Sequence, residues 1–531
     1  MRRNFQSKWL PGIAPLAAAV WLAQGCHDDD RTGTAKLANS ADAGADGKRS
    51  DSAGSGTARE PSSSAAGQDK PKPSEASKPP ADASSDGKSD ASAMSKEPKL
   101  ELASSKLGFA GAFIDFDGEG RLDQLVGAQH AKRADQLGVA LVYTGNEKGW
   151  STDPSATLSG GRDFGYTVAG LGDVDGDGKH DYAVGAPHGD GGAVSLAGSV
   201  SVFAGGSKGK LLAKLDGATS ASKFGLAVAS GDLDGDGKAD VVVGAPFHSP
   251  GSALYQTGAV YVHLGPKLDE VIALEATAEV KGLGWAVAAG DLNGDEVDDL
   301  VVSATSSAKV MVFFGGAKFA PSLNAPDVVY TSKATGFGKS LRVVADYSGD
   351  GHNELAIGAP TSVRGADRDV GNVFLVMAHG SAAPIDLDAT PAAPQRFLQL
   401  DGPGLFSRFG STLATAQDLD EDGLAELVVG APLTDDKPGD MVGKVFIFAS
   451  KGLTARDVTQ AKSFAGSKQY GSFGAFVAPE ASGRALVGAP RSDADRGAVH
   501  VIDLHQGSDA HLDPRVSDPD AGMEGEHDAH H

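Results

Sequence analysis

The sequence predicts an all-β fold: a seven-bladed β-propeller of four-stranded blades, closed by an N-terminal strand and flanked by a disordered linker and tail. Three observations predict it. A unit that opens on Phe-Gly or a variant of it recurs seven times, at start-to-start spacings of 55, 60, 59, 54, 72 and 64 residues. Each unit holds short β-rich runs separated by Gly-rich turns. Most units carry an Asp-rich loop between the first and second runs and a Gly-Ala-Pro after the second. A nearly fixed period of this size marks an array in which each unit buries its apolar face against its neighbours. Seven four-stranded sheets set radially leave only short, protected edges.

Taken in chain order, residues 1–25 read as a signal peptide. Arg2, Arg3 and Lys8 precede an apolar run from Trp9 to Ala23 that contains Pro11 and Pro15. That run is about 15 residues, short of the roughly 20 that cross a bilayer as a helix. Leu22-Ala23-Gln24-Gly25-Cys26 resembles a bacterial lipobox, with Ala23 where Leu is usual. The chain's one cysteine stands where a lipid anchor would need it, so the expectation is an exported protein held by lipid at the bacterial envelope, at the outer membrane or cell surface. One cysteine also excludes internal disulfides and Cys-rich zinc modules. Residues 26–98 are built mostly from Ala, Ser, Asp, Gly, Lys and Pro and bury too little apolar surface to order themselves. As a flexible coil this linker spans roughly 40–50 Å.

The repeat array occupies residues 99–505. Phe164-Gly165 runs through Asp173-Val174-Asp175-Gly176-Asp177-Gly178 to Gly185-Ala186-Pro187. Phe224-Gly225 runs likewise to Gly244-Ala245-Pro246, and further copies open at Leu283, Phe337, Phe409 and Phe473. A degenerate first copy begins near Phe109. Unit seven lacks a fourth strand pattern before the chain turns polar, and Lys99–Lys106 has a pattern that fills the gap. Such pairing would remove an exposed edge. Residues 506–531 form an acidic, His-rich tail.

These units resemble FG-GAP repeats, the building blocks of the integrin α-subunit head, over about 410 residues. The resemblance implies a calcium-binding propeller that engages ligands on the face away from its acidic loops. Nothing in the sequence identifies an integrin-type partner subunit.

Oxygen ligands at alternating positions, with Gly permitting a tight turn, suit Ca²⁺. Unit two offers Asp173, Asp175, Asp177, the Lys179 carbonyl and Asp181; unit three offers Asp232, Asp234, Asp236, the Lys238 carbonyl and Asp240. These two sets are complete. Unit four offers Asp291, Asn293, Asp295, Val297 and Asp299; unit five offers Asp346, Ser348, Asp350, His352 and Glu354. Unit six offers Asp418, Asp420, Asp422, Leu424 and Glu426; unit one offers Asp115, Asp117, Glu119, Arg121 and Asp123. An EF-hand would need a Glu at loop position 12, and here that position is Val126, Val184, Val243, Val302, Ile357 or Val429. The ninth residue therefore closes each cage, and up to six Ca²⁺ are expected.

The formal charge is 47 − 70 = −23. Six Ca²⁺ would offset about half of it, and the acidity argues against nucleic acid as a partner. Loops on the face opposite the cages carry Phe247, His248, Tyr255, Arg364, Arg368, Asp435, Asp436 and Arg491, the candidate ligand contacts for a protein or carbohydrate. A Gly-x-Ser-x-Gly stands at Gly205–Gly209, but no helix follows it, as a nucleophile elbow requires. The sequence thus favours a calcium-binding surface adhesion module and no enzyme. A hydrolase or lyase using the channel, or a structural envelope protein, is the alternative.

Overall fold

The computed structural model describes residues 100–101, 105–133, 136–146, 149–151, 153–249, 256–376, 384–389, 397–450, 458–505 and 513–516. The signal peptide, Cys26, nearly all of the linker, Tyr255 and most of the tail lie outside these residues.

Seven antiparallel sheets follow one another along the chain. Blade one holds Gly111–Ile114, Asp123–Arg133, Gln136–Tyr143 and Ala156–Ser159. Blade two holds Thr167–Gly170, Tyr182–Ala186, Ser199–Phe203 and Leu211–Asp216; blade three holds Ala227–Gly231, Asp240–Ala245, Ala259–His263 and Val271–Glu275. Blades four to six begin with Leu283–Gly290, Ser340–Val344 and Thr412–Gln417, and blade seven with Val477–Pro479. The first strands of successive blades touch in a closed circuit, so they line the channel. Second strands such as Tyr182–Ala186 are buried throughout and read as unbroken apolar runs, because a blade lies against each of their faces. Fourth strands such as Leu211–Asp216 are half exposed and alternate. Among the described residues, helix is confined to two 3-10 turns and the four residues Ser492–Asp495.

The repeated tripeptide and dipeptide serve the seams between blades. Phe164, Phe224, Phe337, Phe409 and Phe473 are each no more than 1% exposed. Phe224 packs with Val200, Val202 and Leu215 of the preceding blade as well as with its own. The glycine after each Phe sits at positive φ, +87° at Gly225, where a Cβ is costly. Its carbonyl covers the Gly of the previous blade's Gly-Ala-Pro. A Cβ built on Gly244 would stand 2.1 Å from the Gly284 oxygen, with the same closeness at Gly430 against Gly474. We therefore expect Gly244→Ala to destabilise the fold by about 3 kcal/mol, read from the urea midpoint, since backbone on both sides of the clash is fixed.

Two expectations about the ends of the array are corrected. Leu100–Glu101 pairs with the far end of Asp123–Arg133 in blade one, and does not complete blade seven. The fourth strand of blade seven is Asp513–Val516, from the stretch read as tail. Closure comes instead from ordinary blade packing. Leu107 bridges to Gly497, and the Gly108 carbonyl covers Gly488. The first unit thus opens on Leu107-Gly108, in the role of Leu283-Gly284, one step ahead of Phe109. The long spacing before Phe409 also has a physical cause. Blade five spends residues between its third strand, Asn372–Val376, and its fourth, Phe397–Asp401, on an excursion whose Ile385–Asp386 pairs in parallel with Val328–Thr331 of blade four.

Candidate metal centres and the opposite rim

Each acidic loop joins a blade's first strand to its second, so all six open on one rim of the channel. The first aspartate shapes its own turn. Asp173 accepts hydrogen bonds from the Gly176 and Gly178 amides, each at 2.8 Å, and both glycines take positive φ, +79° and +86°. Asp232, Asp115 and Asp346 repeat the arrangement, and Asp291 does so with Gly294 N and, in place of the second glycine, Glu296 N at φ +70°. The third ligand position holds the next amide, as Asp177 accepts from Lys179 N and Asp236 from Lys238 N.

The ninth residue is the buried one. Asp123, Asp181, Asp240, Asp299, Glu354 and Glu426 are all at most 2% exposed. In units one to four both oxygens of this carboxylate are held. Asp181 accepts from Val174 N at 2.9 Å and from Gly205 N at 2.8 Å, and Asp240 accepts from Leu233 N and Gly265 N. Burial pushes these carboxyls up, reinforced by the neighbouring aspartates: Asp181 to about 6, and Asp240, Asp299 and Glu426 to about 7. Burial is the larger cause at each of them, and the like charges alongside add to it.

Ligand oxygens converge to within 4.8 Å of one another in five loops. Unit six brings together all four of Asp418, Asp420, Asp422 and Glu426. Unit two gathers Asp173, Asp175 and Asp181 without Asp177, and unit three gathers Asp232, Asp234 and Asp236 without Asp240. Unit five gathers Asp346, Asp350 and Glu354, beside which Ser348 N donates to Glu354. Unit one gathers Asp115, Asp117 and Asp123, while Glu119 turns outward to pair with the Arg121 guanidinium. In unit four the Asn293 amide donates to Asp295 at 3.1 Å, and Asp291, Asp295 and Asp299 form no such group. Unit six is therefore the most complete cage, ahead of units two and three. The longer Glu426 reaches Leu419 N at 2.8 Å with Oε2, while its Oε1 is buried and accepts no hydrogen bond.

Loops of adjacent blades are wired together through residues that the sequence reading passed over. Asp298 N donates to the Asp232 carbonyl, and the Asp298 carboxylate accepts from Asp232 N at 3.0 Å. Burial pushes the Asp298 carboxyl up to about 6. Asn353 Nδ2 donates to the Asp291 carbonyl at 2.7 Å. The only sequence signal is a carboxylate or amide at the eighth position beside the ninth ligand, where other loops have Leu122, His180, Ala239 or Ala425. Blade seven replaces the cage altogether. Its Glu480 pairs with Arg484, whose guanidinium lies 4.4 Å over the Trp150 ring of blade one.

On the opposite rim the candidate ligand contacts divide. His248 is buried, with Nδ1 3.0 Å from Thr219 Oγ1 and 3.1 Å from Tyr261 OH, so it braces blades two and three rather than facing a ligand. Phe247 is half-buried against Trp285. Arg364, Arg368 and Arg491 are exposed, and Arg364 donates to the Gly402 carbonyl at 3.0 Å. Asp435 is consumed in its loop by Gly439 N and Met441 N, and Asp436 pairs with Lys444 at 2.9 Å. Ser207, in the Gly-x-Ser-x-Gly, donates to the Ala204 carbonyl inside a turn between two strands.

The FG-GAP repeat family model matches residues 164–203, 224–263, 283–315 and 409–448. Phosphatidylinositol-glycan-specific phospholipase D of Rattus norvegicus is 29% identical over 411 residues, covering 68% of this chain and 48% of that protein. The Homo sapiens protein of the same name is 28% identical over 484 residues, covering 77% and 56%. Integrin alpha-IIb of Mus musculus is 34% identical over 216 residues, covering 37% of this chain and 20% of the integrin. The chain spans about half the length of the phospholipases it matches. These relatives correct the expectation of no enzyme: several of the proteins this chain is similar to are named as hydrolases. Among the described residues no helix is long and apolar enough to cross a membrane.

Proposed function

Because the chain is an integrin-like FG-GAP β-propeller, we propose that it is a calcium-dependent binding and adhesion module, exported and tethered to the envelope through lipid on Cys26. Its ligand would be a protein or glycan met on the rim away from the metal loops. The observation that carries the calcium reading is Glu426. A buried carboxylate oxygen without a hydrogen bond, beside three converging aspartates, needs a cation to offset its desolvation. All-oxygen donors at hairpin spacing suit Ca²⁺ better than softer metals. Titration of the chelator-treated chain by calorimetry tests this. We expect saturable Ca²⁺ binding that Glu426→Gln weakens; heat-silent titration with an unchanged melt would refute it. Labelling with radioactive palmitate, lost in Cys26→Ser, tests the anchor.

The phospholipase relatives favour a second reading, hydrolysis of phosphatidylinositol-glycan anchors by the protein of which this propeller is part. Incubating the full chain with a glycan-anchored protein and following its release from membranes decides this. Calcium-dependent release supports hydrolysis, and retention of the anchor confines the chain to binding.

A further inference from the structure

Among the described residues nine large apolar side chains are exposed, and six of them stand on the rim opposite the metal loops: Leu137, Leu196, Val363, Leu405, Phe406 and Tyr470. Leu137 is near the tip of the hairpin that joins Asp123–Arg133 to Gln136–Tyr143, and Leu196 and Val363 lie in the matching loops of blades two and five. Leu405, Phe406 and Tyr470 lie in loops that lead from a fourth strand to the next blade's first. The metal rim carries one such side chain, Leu122, and the outer strands carry Leu211 and Val271.

Three of the six are held against backbone preference. Leu196, Phe406 and Tyr470 take φ of +57°, +60° and +58°, the left-handed region that bulky residues disfavour. Each is pinned by a neighbouring loop. The Leu196 carbonyl accepts from Ala221 N, and Phe406 N and Tyr470 N donate to the Arg368 and Asp440 carbonyls. The fold thus keeps strained turns that raise apolar side chains into water, with no burial in return.

These tips are spread around the ring, over blades one, two, five and six, rather than gathered in a groove. A bound peptide would reach a few of them, whereas an extended flat surface meets them together. Arg162, Arg364 and Arg368 are exposed on the same rim. Several of its acids are turned back into their own loops: Asp190 accepts from Leu196 N, Asp435 from Gly439 N and Met441 N, and Asp440 from Asp436 N and Lys437 N. The acidic cages lie a strand length away, about 17–20 Å. That is beyond the roughly 8 Å over which charge acts at physiological salt. Leu100 pairs with Arg133 at this rim, so the chain enters the propeller from the same side.

We propose that this rim lies against an anionic lipid surface, with the six apolar side chains entering the headgroup boundary and the three arginines meeting lipid phosphates. An exposed apolar set of this kind marks an interaction face. Apolar tips flanked by cations are what an anionic bilayer takes up. The inference goes beyond the binding-module reading: a protein or glycan ligand of this rim would be one that a membrane carries. It depends neither on the calcium sites nor on lipid at Cys26.

The test is co-sedimentation of the full chain carrying Cys26→Ser, in chelator, with two kinds of vesicle. One is phosphatidylcholine alone, and the other is phosphatidylcholine and phosphatidylglycerol in equal parts. We expect partition into the mixed vesicles, and less into the neutral ones. Leu405→Ser and Phe406→Ser together should lower partition about tenfold or more. Phe406→Gly should bind more weakly yet melt no lower than its parent, since Gly takes positive φ freely. Leu211 and Leu405 are equally exposed, 51% each, but Leu211 stands on an outer strand, so Leu211→Ser should bind as the parent does. The Tm of each variant, measured without vesicles, shows an intact fold. Unchanged partition in the double variant, an equal loss in Leu211→Ser, or no preference for the anionic vesicles would overturn the proposal. Sedimentation without vesicles would overturn it too, by showing that the tips meet a second copy.

Discussion

Stripped of metal, the protein should lose stability as pH rises from about 4 to about 7, and Ca²⁺ should invert that slope. The buried ninth-position carboxyls are pushed up in the folded chain, to about 6 at Asp181 and about 7 at Asp240, Asp299 and Glu426. In the unfolded chain they return to roughly 4. Between those values the folded state binds more protons than the unfolded one, so linkage makes stability fall as pH increases. With Ca²⁺ present the ionised form is the one that binds, and protons compete with the metal, so stability rises with pH through the same window. One site at a hundredfold excess over Kd contributes about 2.7 kcal/mol. Three filled sites should raise the Tm by about 10 °C near neutral pH. Scanning calorimetry at several pH values, with chelator and with Ca²⁺, measures both slopes. Parallel slopes would show that the carboxyls do not hold the metal.

Truncating Phe409 to Ala should cost about 3–5 kcal/mol. This side chain is fully buried between blades five and six and meets Phe446 and Phe448 edge-on, with centroids 5.7 and 5.9 Å away. The cavity left behind would be lined by fixed sheet on both sides, which limits collapse. Phe406, three residues earlier, is 42% exposed, and its truncation should stay within about 0.5 kcal/mol. Urea denaturation of the two variants gives the comparison. Similar midpoints would mean that the Phe of the repeat is not the wedge between blades.

What could be read from sequence is what the repeat itself encodes. The period, the alternating strands and the Asp-rich loops each report a local requirement, and six loops repeat it. What could not be read depends on pairings far apart in the chain. Asp513–Val516 completes blade seven although its stretch looks like tail, because an edge strand needs little apolar surface of its own. His248 looks like an exposed loop residue until Thr219, in the bend after blade two's fourth strand, and Tyr261 of blade three's third strand enclose it. The convergence of the ligand oxygens also follows side-chain length, which composition does not reveal. Units two and three have the more regular aspartates, yet the added methylene of Glu426 gives unit six its reach across the cage. Asp298 and Asn353 gain meaning only because the next blade's loop lies within hydrogen-bonding distance.

Arg484 at the last blade has a consequence for how the ring comes apart. Where other blades present an acidic loop, this one carries a cation covalently, clasped by Glu480 and stacked on Trp150 across the seam between the first and last blades. A chelator cannot remove that charge. Loss of calcium would then slacken the boundaries at the cages first, while the join between the two ends of the array stays fastened. On the calcium reading proposed above, the place where a linear chain becomes a circle is the one whose fastening does not vary with the metal.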